Sequence, residues 1–160
     1  MITQNYLPNL SHRQATFHDL SRIVELLAED ELGKTREFLS DTQKLDQRYG
    51  DAFERINNDP NQYLMVVEEG DQIVGTCHLT LMPSLTFTGS TRLQIEAVRV
   101  SAEKRGQGIG AWMMAQAIYF GKSQGATIIQ LTTNKKRPQA KEFYESLGFI
   151  SSHEGMKLPA

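Results

Sequence analysis

The chain has 160 residues, 39% of them hydrophobic, enough to bury one sizeable core but too few for two ordinary domains, so residues 1–160 are read as a single domain. Seventeen Lys and Arg nearly balance nineteen Asp and Glu, and a net charge of -2 excludes the strong field that would draw in nucleic acid or an anionic membrane. No stretch approaches the ~18 apolar residues of a membrane span.

The start, Met1-Ile2-Thr3-Gln4-Asn5, lacks the basic and apolar regions of a signal peptide. Leu20, Ile23, Val24, Leu26 and Leu27 recur at helical spacing, and Thr16 with Asp19 forms a capping pattern before them, which predicts an early helix. From Leu32 to Asn58 the chain turns polar, and Gly33 and Gly50 interrupt its helical stretches, so a helical connector is expected. Tyr63 to Val67 and Gln72 to Leu79, separated by Glu69-Gly70-Asp71, predict an antiparallel hairpin. Within it stands Cys77, the only cysteine, which has no intrachain disulfide partner and suits a reducing, cytoplasmic setting. A strand is predicted from Leu93 to Val100, a helix from Ala111 to Gln124 and a buried strand from Ala126 to Thr132. Pro138 opens a short last helix that Gly148 ends, and a final strand is expected from Phe149 toward Leu158. This order describes an α/β domain with a mixed sheet.

Gly106, Gly108 and Gly110 fall between a strand and a helix, where bare backbone lets several N–H groups converge on an anion. The same glycines also suit a tight connection with no ligand. If a phosphate binds, Gly106-x-Gly108-x-x-Ala111 satisfies the loose dinucleotide fingerprint, but Ile128 to Thr133 supplies no acid at the expected distance. A nucleotide triphosphatase loop is excluded, because Ala111-Trp112 replaces its lysine and hydroxyl.

Val98-Arg99-Val100, followed by Arg105-Gly106-Gln107-Gly108-Ile109-Gly110, resembles the central motif of the GNAT superfamily of acyl-CoA-dependent N-acetyltransferases. Downstream, Asn134, Pro138 and Phe143-Tyr144-Glu145-Ser146-Leu147-Gly148-Phe149 resemble its second motif. The resemblance implies a mixed, mostly antiparallel central sheet flanked by helices, with strands four and five splayed where acetyl-CoA enters. It implies an enzyme that moves the acetyl group of acetyl-CoA to a primary amine of a small molecule or protein, with no metal. Val98, Arg99 and Val100 would line the pantetheine arm. Arg105, Gly106, Gln107, Gly108, Ile109, Gly110 and Ala111 would hold the pyrophosphate, and Asn134 would add a contact. A non-catalytic acyl-CoA-binding regulatory module is the alternative.

By the same resemblance the amine attacks the thioester directly in a ternary complex. Glu96 matches the position of the family's base, and strand alternation puts it on one side with Val98 and Val100. Pairing with Arg92 or Arg99 is the ordinary alternative for such an acid. Tyr144 matches the tyrosine beside the leaving sulfur, its other reading being an aromatic packed beside Phe143. The Val98 N–H is the expected oxyanion donor. Glu29, Asp30 and Glu31 follow the early helix, where relatives place a connector over the acceptor, and their charge suits a cationic amine; a solvated charged connector is the more frequent explanation of such a run. His78 and His153 are read as structural or exposed. Relatives are often dimers, and Met156 and Leu158 on the expected last strand are candidates for a homodimer interface.

Overall fold

Among the described residues five strands form one open sheet in sequence order: β1 (Leu10–Gln14), β2 (Gln62–Glu69), β3 (Gln72–Pro83), β4 (Thr91–Val100) and β5 (Ala126–Leu131). The computed structural model describes residues 9–37 and 44–160, so Met1 to Asn5 and part of the connector lie outside the described residues. The first four strands pair antiparallel, whereas β5 runs parallel to β4, as a strand-helix-strand connection requires. The sheet is thus mixed and mostly antiparallel. Glu69 pairs with Gln72 across the β2–β3 turn, where Gly70 takes φ 61°, a conformation that L side chains resist. β1 was not foreseen. Its sequence, Leu10-Ser11-His12-Arg13-Gln14, has little strand character of its own and is ordered by pairing with β2.

β2 runs through the middle of the sheet, and its Leu64, Met65, Val66 and Val67 are buried on alternate faces. On one face Met65, Val67, Leu79, Leu93 and Ile95 meet Met113, Met114 and Ala117 of α5 (Ile109–Ser123). On the other, Leu64 and Val66 meet Leu20, Ile23 and Val24 of α1 (Leu20–Ala28) and Phe53 of α3 (Gln47–Asn57). Each fully buried aliphatic side chain contributes about 1.5–3 kcal/mol, so these two faces are what holds the helices on the sheet.

The capping pattern ahead of α1 forms through a turn at Phe17–Asp19, where Asp19 Oδ2 accepts from Thr16 N at 2.7 Å. Arg13 on β1 donates to both Asp19 oxygens, at 2.6 and 3.0 Å, and also to Glu68 on β2 at 2.8 Å. The Arg13 guanidinium holds the Asp19 carboxyl down to about 2 from an ordinary 3.8. Because the folded-state value is depressed, this stability is complete above the unfolded value and is lost as pH falls toward 2. Asp19 is 8% exposed but the Arg13 side chain is 40% exposed, so solvent screens the pair and the contribution is about 1 kcal/mol. Asp19→Asn should therefore lose its stability deficit relative to the native chain by about that amount between neutral pH and about pH 2, read by urea unfolding. A deficit independent of pH would count against the pair.

The connector is more helical than expected. Asp30 caps α2 (Glu31–Arg36), its Oδ1 accepting from Gly33 N at 2.6 Å, and Asp46 caps α3 by accepting from Arg48 N at 2.9 Å. Gly33 and Gly50 lie inside these helices and interrupt neither. At Gly33 the reason is steric: a Cβ there would stand 1.9 Å from the Leu27 carbonyl oxygen, so only glycine lets α2 turn back against α1. A one-turn α4 (Thr86–Gly89) caps the β3–β4 hairpin, and α6 (Pro138–Ser146) follows β5.

The expected strand from Phe149 to Leu158 is not formed, and these residues have no regular structure. Phe149 turns inward against Tyr144, with ring centroids 6.0 Å apart, while Ile150, Met156 and Leu158 stay 85%, 93% and 94% exposed. A strand needs a neighbour's backbone, and among the described residues none pairs with this segment, which leaves β5 as the edge of the described sheet.

Candidate active site

The β4–β5 pairing begins at Thr91 and stops at Ile95 opposite Leu131, although β4 continues to Val100. Strands four and five therefore part just before Glu96. At the same place Ala97 takes φ 51° and the β3–β4 register shifts between Thr76 and His78, so β4 carries a bulge. The bulge overturns simple alternation. Leu93 and Ile95 share the α5-side core with Val98 and Val100, so side-chain parity changes between them and Glu96 does not stand with the two valines. It stands directly across from His78, which faces α1 and α3.

His78 Nε2 lies 2.6 Å from Gln62 Oε1, and burial pushes its pKa below the ordinary histidine value, opposed by the Glu96 charge. The ring is consequently neutral near pH 7. The arginines offered as partners for Glu96 are engaged elsewhere. Arg92 donates to Thr86 Oγ1 at 2.8 Å, and Arg99 donates to the Val98 carbonyl at 2.9 Å.

Beyond the bulge, Gly106 and Gly108 adopt φ 76° and 84°, and Gly108 forms the N-cap of α5. The amides of Ile109, Gly110 and Ala111 open the helix without intrahelical acceptors and carry the positive end of its dipole. Nothing lies within 4 Å of where a Gly106 Cβ would be, so the turn presents bare backbone to solvent, which fits a pyrophosphate. Gly110 is bare for another reason: a Cβ there would meet Phe143 at 3.4 Å, so this glycine lets α6 approach. Arg105 donates to the Val100 carbonyl at 3.2 Å, and Gln107 to that of Glu103 at 3.4 Å.

Tyr144 stands half-buried on α6 between Phe143 and Phe149, and burial pushes its pKa up against the opposing pull of Arg99. Asn134 is exposed in the turn before α6, where Oδ1 accepts from Lys136 N at 2.9 Å.

Of the three connector acids, two are tied to β4, the glycine turn and the start of α6. Glu29 accepts from Ala102 N at 2.8 Å and lies 3.9 Å from Arg105. Besides capping α2, Asp30 lies 2.5 Å from Arg137 and 3.7 Å from Arg99, so α2, β4 and the start of α6 meet at one carboxylate. Burial lowers the Arg99 pKa, with Asp30 countering it. Glu31 is exposed and pairs with Lys34 at 2.8 Å. Sequence reasoning missed Arg137 and assigned His78 a structural role; its proximity to Glu96 follows only from strand register.

Comparison with known proteins shows the family. The model of the acetyltransferase (GNAT) family matches residues 21–149. The chain belongs to that family and thus to the acyltransferases. It is 44% identical to a transcriptional regulator from Bacillus halodurans C-125, covering 95% of this chain and 100% of that one, with a TM-score of 0.90. It is 27% identical to an aminoalkylphosphonate N-acetyltransferase of Salmonella typhimurium over 94% of this chain and 91% of the relative. A 35% match to rat N-acetyltransferase 8 spans 56% of this chain but only 40% of that protein's length. Among the described residues no helix is long and apolar enough to cross a membrane.

Proposed function

We propose that the chain, acting as one domain, transfers the acetyl group of acetyl-CoA to a primary amine by direct attack in a ternary complex. The observation that carries this is the parting of β4 and β5 at Ile95, immediately before Glu96 and Val98 and a few residues ahead of the bare glycine turn. The pantetheine arm would lie along Val98, Arg99 and Val100, with the pyrophosphate at Arg105 to Ala111 and a further contact at Asn134. The amine nitrogen attacks the thioester carbonyl, the Val98 N–H bonds the developing oxyanion, and coenzyme A departs as its thiol.

Glu96 takes the proton of the attacking amine through a water, with neutral His78 opposite it as a second acceptor. A Tyr144 phenol whose pKa is raised by burial is a poor full acid but a sound hydrogen-bond donor to the leaving sulfur. Tyr144→Phe should lower kcat about 10- to 100-fold, the worth of one hydrogen bond to a charged partner, with acetyl-CoA affinity retained. Steady-state rates beside calorimetric titration with acetyl-CoA would measure both. Asp30, held by Arg99 and Arg137, orders the connector over the site, while Glu29 and Glu31 add negative charge for an approaching cation.

The deciding experiment follows release of free thiol from acetyl-CoA across a panel of primary amines. Acetylated product with matching thiol supports the reading. Binding of acetyl-CoA with no product from any amine would favour the second reading, a non-catalytic acyl-CoA-binding regulator, for which the resemblance to a Bacillus transcriptional regulator speaks. A cytoplasmic location is supported by the free thiol of Cys77, and a homodimer by exposed Ile150, Met156 and Leu158.

A further inference from the structure

Between α1, α3 and the adjoining face of the sheet lies a cavity of about 120 Å³. Val24 and Leu27 on α1, Phe53 and Ile56 on α3 and Leu64 on β2 form its walls, and the bulged residue Ala97 of β4 borders it. None of the described residues that line it is Asp, Glu, Lys or Arg. Among the described lining residues, the Thr76 hydroxyl donates to the Met65 carbonyl at 2.8 Å, the Tyr49 hydroxyl to Glu37 at 2.6 Å, and His78 Nε2 meets Gln62 at 2.6 Å. A charged or hydroxylated substituent entering here would lose its water without replacement. An apolar one would gain from burial.

The position matters as much as the lining. Ala97 follows Glu96 directly and His78 stands across from Glu96, so the cavity borders the backbone where β4 parts from β5. Its volume is somewhat below the roughly 150 Å³ at which an apolar protein cavity accepts benzene.

We infer that the acceptor is a primary amine bearing a compact apolar group of about four or five carbons, seated in this cavity with its amino group beside Ala97 and Glu96. The inference rests on the acetyl-transfer reading. It separates this chain from enzymes whose acceptors are polycations, amino sugars or aminophosphonates, since among the described residues that line the cavity none is Asp, Glu, Lys or Arg to receive a further charged or hydroxylated group.

The test uses the unaltered full chain with acetyl-CoA and the straight series from ethylamine to hexylamine, alongside isoamylamine, spermidine, glucosamine and 2-aminoethylphosphonate. kcat/KM should rise about fourfold per methylene until the cavity is full and then fall. The polar amines should be at least tenfold poorer than isoamylamine. Ala52→Phe, which thickens the α3 wall from an exposed position, should shift the optimum to shorter amines with KM for acetyl-CoA unchanged. A flat series, or preference for any polar amine, would overturn the inference while leaving acetyl transfer intact. Calorimetric binding of isoamylamine to the coenzyme A-loaded chain provides a readout free of turnover. Binding that Ala52→Phe weakens, with no product from any amine, would uphold the cavity assignment and sink the transfer reading. No binding and no turnover with apolar amines would overturn the cavity assignment.

Discussion

Replacing Glu96 by glutamine is expected to lower kcat by about 10²- to 10⁴-fold, the range for loss of a positioned proton acceptor, while acetyl-CoA binds as before. The side chain stands on the face toward α1 and α3, away from Val98 and Val100, so its change leaves the face that carries those valines undisturbed. The amide keeps the shape and removes the proton acceptor. His78 remains across the ladder and sustains a residual rate, so His78→Gln combined with Glu96→Gln should fall below either single variant. Stopped-flow or steady-state thiol release would read the rates, and calorimetry the affinity. A turnover in Glu96→Gln within a factor of three of the native chain would remove Glu96 from the proton path.

Gly33→Ala is expected to have the largest structural effect of any single-methyl change in the connector. Its Cβ would stand 1.9 Å from the Leu27 carbonyl oxygen, and backbone oxygen at the end of a packed helix has little room to yield. α2 would have to lift from α1, weakening the Asp30 cap and the contacts of Asp30 with Arg99 and Arg137. A loss of about 3 kcal/mol is expected, or roughly 6–12 °C in Tm for a chain of this size. Hydrogen exchange should locate the loosening in Glu31–Arg36. A Tm within about 2 °C of the native value would show that the two helices do not meet as closely as described.

Much of the architecture was legible because local chemistry and global fold agree. The Thr16–Asp19 cap, the Glu69-Gly70-Asp71 turn and Pro138 ahead of the last helix each mark a boundary through backbone dihedrals or an unpaired N–H, so they need no distant partner. The connector was less legible. Gly33 and Gly50 carry the ordinary signature of helix interruption, and only the close approach of α2 to α1 shows why the first is glycine. β1 and the tail from residue 149 went wrong in opposite directions for one reason: a strand is completed by the backbone beside it. Weakly β-prone residues found such a neighbour in β2, and more apolar ones found none among the described residues.

The site divides along the same line. From sequence alone came a strand running into a glycine turn and a helix, the anion-binding chemistry of that turn, and the identities of Glu96, Val98 and Tyr144 at matching family positions. Those are local properties, carried by residue type and spacing. Tertiary structure alone decided that β5 leaves β4 at Ile95, that a bulge at Ala97 sends Glu96 and the valines to opposite faces, and that His78 and an apolar cavity lie on the side of Glu96. Register and bulges depend on which backbone groups find partners across the sheet, and that information is held jointly by segments far apart in the chain.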